Sequence, residues 1–147
     1  LTYAVDASLG LYADAGILAI DLAVSAENLG QATIAILDIL TELHTTEVAR
    51  DELDHVLNCY RCDLDYSRDQ VDEMALRYAW GELANCRRTI ADDLAGIDKV
   101  TGPGLQQTVG ELLTPAYLRG AIVGPYRTSD RKAVEKIIAS WRPGHDI

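Results

Sequence analysis

An α/β (α+β) fold is predicted from three features: a period-two alternation near the start, several stretches with helical spacing, and a short apolar run late in the chain. Tyr3, Val5, Ala7, Leu9 and Leu11 alternate with Thr2, Ala4, Asp6, Ser8 and Gly10, as a half-buried strand requires. The segment Tyr12-Ala13-Asp14-Ala15-Gly16 carries turn residues, and Leu18, Ile20, Leu22 and Val24 then resume the alternation. Together they predict an antiparallel hairpin.

Helices follow. Ser25 is placed to cap the first, Glu27 suits its first turn, and Leu29, Ala32, Ile36, Leu40 and Leu43 recur at helical spacing until His44. A second helix after Thr46 puts Leu53, Val56, Leu57, Tyr60 and Leu64 on one face, and Asp51, Asp54, Asn58 and Asp65 on another. Ser67 with Gln70 matches a capping box for a third helix, whose pattern of Val71, Met74, Ala75, Tyr78 and Ala79 stops at Gly81. Thr89 with Asp92 starts a short helix ending at Ile97, and Thr101 with Pro103 starts another ending at Leu113. The run from Tyr117 to Val123, bounded by Pro115 and Gly124-Pro125, predicts a third strand. A last helix holds Val134, Ile137, Ile138 and Trp141 and is closed by Arg142-Pro143-Gly144.

No internal repeat, low-complexity tract or linker interrupts this order, so residues 1–147 are read as a single domain. The first residue is not Met, and the opening residues already read as strand. The chain is therefore expected to start within a larger protein, with the N-terminal part of the domain upstream of Leu1. A hairpin and one distant strand make a narrow sheet, which points the same way.

Composition narrows the function classes. Against 13 Lys and Arg stand 23 Asp and Glu, a net charge of -10 that repels phosphate backbones and argues against nucleic-acid binding. No apolar run approaches the ~20 residues of a membrane span. Three Cys is an odd count, which favours a reducing, intracellular setting over a disulfide framework.

Several local patterns have chemical readings. His55, Cys59 and Cys62 share one helical face and include a Cys-x-x-Cys, but one helix cannot wrap a tetrahedral metal. The pair also falls in mid-helix, away from the helix start that activates redox thiols, so structural, at least partly buried cysteines are expected. Thr101-Gly102-Pro103-Gly104 lacks the Lys-Ser/Thr ending of a phosphate loop and reads as a helix start. The carboxylates of Asp51, Glu52, Asp54, Asp63 and Asp65 are scattered around a helix and read as a solvated face rather than a calcium site.

The ordered set Leu1-Thr2-Tyr3-Ala4-Val5, Tyr12 through Ile20, Glu27-Asn28-Leu29, Glu52-Leu53, Tyr117-Leu118 and Ile122-Val123-Gly124-Pro125 resembles the second, non-zinc-binding domain of pitrilysin/insulinase-type metallopeptidases. Mitochondrial processing peptidase belongs to that group. The resemblance implies a mostly antiparallel sheet with helices packed on one side. It also implies a partnership with an upstream or partner zinc-binding domain, in a homo- or heterodimeric arrangement that encloses a peptide substrate.

In that family the zinc lies in an inverted His-x-x-Glu-His motif on the other domain. Here His44, His55 and His145 are not so spaced, so no zinc or other cofactor is expected in this chain and no catalytic residue is assigned. Zinc is expected in the parent or partner domain. The family's second domain supplies an Arg and Tyr pair that contacts substrate, and Tyr3 matches that Tyr; the matching Arg would precede Leu1. The structural alternative for Tyr3 is an inward-facing strand residue packed under a helix. The resemblance thus implies a substrate-enclosing domain of a zinc metalloendopeptidase, inactive alone; the alternative is a non-catalytic scaffold or assembly subunit homologous to the peptidases.

Overall fold

A computed structural model of the chain describes residues 2–143. Leu1 and residues 144–147, including Gly144 of the expected closing turn and His145, lie outside the described residues. The fold is α+β: strands β1 (Ala4–Leu11) and β2 (Gly16–Ala23) pair as an antiparallel hairpin. Helices α1 (Leu29–Thr45), α2 (Arg50–Ser67), α3 (Val71–Leu83), α4 (Ile90–Ile97), α5 (Gly102–Leu112) and α6 (Thr128–Ser140) follow. Contacts group the chain into two compact units, one made of residues 2–9, 18–47 and 106–143, the other of residues 10–17 and 48–105.

The predicted alternation forms the hairpin but not the half-buried strand. Every β1 residue except Gly10 is exposed. Alternation separates two faces, but burial needs a covering layer, and β2 is the one strand paired with β1 among the described residues. Ile20 of β2 does pack against the core formed by Leu37, Leu40 and Trp141, with Ile36, Leu43, Leu113, Leu118 and Ile137 around it.

Ser25 does not cap α1 as expected. Its hydroxyl donates to the Glu27 carboxylate at 3.4 Å, and a single 3-10 turn, Ala26–Asn28, leads into the helix. At the other end of α1, the Gln106 side-chain amide donates to the carbonyls of Leu43 and His44 at 3.2 and 2.5 Å. These are carbonyls that a helix end leaves without intrahelical partners.

The third strand predicted over Tyr117–Val123 is not formed. The amides of Tyr117 and Leu118 both donate to the Thr114 carbonyl, and the Arg119 guanidinium donates to the carbonyls of Ala116 and Leu118. A turn thus forms over residues 115–117, and residues 118–123 take no regular secondary structure. Leu118 reaches the core while Val123 is 99% exposed, so the run's apolar character serves one anchoring contact rather than a ladder.

In the second unit, Leu64 of α2 and Ile90 and Ile97 of α4 form the buried core, flanked by Leu57, Met74 and Leu94. Thr89 and Asp92 form the predicted capping box: the Thr89 amide donates to Asp92 Oδ2 at 2.8 Å, and the Asp92 amide to Thr89 Oγ1 at 3.1 Å. The expected Ser67/Gln70 box does not form. Ser67 instead donates back to the Leu64 carbonyl at 2.7 Å, a local bond that competes with capping. Helix α3 also continues past Gly81 to Leu83. It is ended by Asn85, at φ 51°, with the Cys86 amide donating to the Gly81 carbonyl at 2.8 Å. Thr101 begins α5 as expected, accepting the Gly104 amide at its hydroxyl.

Candidate functional site

Tyr3 stands immediately before β1. Its amide donates to the Ala23 carbonyl at 2.8 Å, tying the backbone to the end of β2. The side chain is 84% exposed. Among the described residues the ring is therefore not packed beneath a helix. Val5, Leu9, Leu11, Ile17 and Leu18 are also more than half exposed along the hairpin. At the opposite end, the Tyr12 amide donates to the Ala15 carbonyl at 2.8 Å and closes the turn.

On α2 the structure brings His55 and Cys59 together, with His55 Nε2 3.7 Å from Cys59 Sγ. Helical geometry accounts for this, because residues four apart lie one above the other. Cys59, Cys62 and Cys86 are all free and exposed, which corrects the expectation of at least partly buried structural thiols. These thiols lie on faces that α2 and the α3–α4 connection leave outside the core. Among the described residues, no group of three or more His, Cys, Asp or Glu side chains converges on a metal position. No helix among them is long and apolar enough to cross a membrane.

A charged cluster was not singled out by the sequence reading. Asp93 of α4 is buried, at 8% exposure, and accepts Arg77 at 2.6 Å and Arg88 at 2.9 Å. The signal was present in the sequence: Ile90, Asp93, Leu94 and Ile97 have the spacing of one helix face, so a carboxylate there must be buried with a partner. A second ion pair, Arg61–Asp98 at 2.8 Å, joins α2 to the end of α4. Both tie helices together. Beside them, Asp92 has its carboxyl held below the ordinary carboxylate range. The Thr89 backbone amide contributes most, then the Thr89 hydroxyl and, more weakly, the Arg88 charge.

An open groove of about 580 Å³ lies along α6, lined by Leu118, Gly120, Glu135 and Ile138 among others. Two arginines border it, but Arg119 and Arg142 already donate to backbone carbonyls of their own neighbours. That leaves the groove without convergent polar groups aimed at a ligand. Comparison with protein-family models, curated proteins and solved structures finds no match for this chain.

Proposed function

We propose that this chain is a substrate-enclosing part of a zinc metallopeptidase of the pitrilysin/insulinase type, without catalytic power of its own. The observation that carries the reading is Tyr3, its backbone held at the foot of the hairpin and its phenol open to solvent. A phenol so presented is available to donate a hydrogen bond to a peptide carbonyl on which negative charge develops. The segments that carry the resemblance fall on the hairpin turn and the first part of β2 (Tyr12 to Ile20), the entry to α1 (Glu27-Asn28-Leu29) and the first turn of α2 (Glu52-Leu53), while Tyr117 to Val123 forms no strand. Zinc and its activated water belong, on this reading, to an upstream or partner domain, in a dimeric arrangement around the peptide.

The test compares the chain alone with the chain supplied with a zinc-bearing partner domain, using a panel of quenched fluorescent peptides. Alone it is expected to cleave nothing, with or without added zinc. Together, Tyr3→Phe is expected to lower kcat by about 10²-fold with a smaller change in KM. Zinc-dependent cleavage by the chain alone overturns the proposal, and so does full activity of Tyr3→Phe. A pair that assembles but never cleaves supports instead the scaffold reading, which the exposed apolar hairpin also favours.

A further inference from the structure

We propose that His55 and Cys59 form a two-point surface chelate for a tetrahedral, thiolate-binding divalent cation of the zinc and cadmium class. The argument is one of bite distance. With metal–nitrogen and metal–sulfur bonds of about 2.05 and 2.3 Å at a tetrahedral angle, the two donor atoms stand roughly 3.6 Å apart. His55 Nε2 and Cys59 Sγ stand 3.7 Å apart. The pair is thus held at the separation a tetrahedral cation requires. A linear two-coordinate cation would need the two bonds end to end, roughly 4.3 Å, and fits less well.

Access and charge favour the same occupant. Both side chains are exposed on the outer face of α2, and neither makes another side-chain hydrogen bond among the described residues. The helix carries five carboxylates (Asp51, Glu52, Asp54, Asp63, Asp65) against two guanidiniums (Arg50, Arg61), a field that draws cations and repels anions. Two protein donors leave two positions to water, so the site is an open chelate and not a closed structural centre. On binding, the cation exchanges two water ligands for the imidazole nitrogen and the thiolate, and the Cys59 thiol proton passes to solvent.

The test is titration of the full chain carrying Cys62→Ser and Cys86→Ser with cadmium, read by thiolate-to-cadmium charge-transfer absorption and by proton release. A saturable signal at one cadmium and about one released proton per chain is expected, reversed by excess zinc. Adding Cys59→Ser should abolish the signal, and His55→Ala should weaken binding by at least about tenfold. Both positions are exposed, so circular dichroism should be unchanged in each variant. The proposal is overturned if the signal does not saturate, if it survives Cys59→Ser, or if His55→Ala leaves the affinity unchanged.

Discussion

The indole of Trp141 donates from Nε1 to the hydroxyl of Thr41 at 2.9 Å, linking the residue that follows α6 to the C-terminal part of α1 across most of the chain. The same hydroxyl donates to the Leu37 carbonyl at 2.7 Å, so both of its roles are used inside the packed region. Trp141 is 7% exposed and sits against Leu37 and Leu40, which makes this bond part of the first unit's core.

Thr41→Val keeps the shape but leaves the indole N–H without a partner, and should cost about 1–2 kcal/mol. Trp141→Ala removes the ring itself and should cost about 3–5 kcal/mol. Urea unfolding followed by tryptophan emission checks both the parent and Thr41→Val. Trp80 is 58% exposed, so a Trp80→Phe background makes that emission report Trp141 alone. Trp141→Ala is followed by circular dichroism.

Asp93→Ala should destabilise the second unit by about 2–4 kcal/mol, because it strands Arg77 at a partly buried position. The two arginines are not equivalent: the Arg77 side chain is 21% exposed and that of Arg88 58%. Solvent screening should therefore hold Arg88→Ala to about 1 kcal/mol or less, below the cost of Arg77→Ala. Denaturant midpoints of the three variants test this ranking.

Leu64→Ala should cost about 2–5 kcal/mol, while Leu83→Ala should stay within about 0.5 kcal/mol. The contrast rests on exposure, 3% for Leu64 against 78% for Leu83. Amide exchange in α2 and α4 should accelerate in the first variant and not in the second.

For Asp92 the folded state holds the carboxyl below its ordinary value through bonds from Thr89. Its stabilising contribution is therefore present above the unfolded pKa, about 3.9, and is lost as pH falls through the lower folded value. A carboxyl carbon NMR titration should give an Asp92 midpoint below that of an unstructured Asp. Thr89→Ala should raise that midpoint. Asp92→Asn should remove this residue's share of the acid-dependent loss of stability.

Much of the architecture was determined by the sequence alone, wherever a local rule was sufficient. Alternation marked the hairpin, helical spacing marked α1, α2, α3 and α6, Thr89 with Asp92 marked the start of α4, and Thr101 with Pro103 that of α5. Each of these depends on residues within a few positions of one another. The tertiary structure decided what depends on distant partners. It left β1 exposed, formed a turn over residues 115–117 where a strand was expected to follow, and carried α3 past Gly81 to Leu83. It also joined Asp93 to Arg77 and turned the thiols of α2 outward. Tyr3 shows the division most clearly: alternation assigned it to a strand face, but only packing determines whether that face is covered, and here the ring is open to solvent.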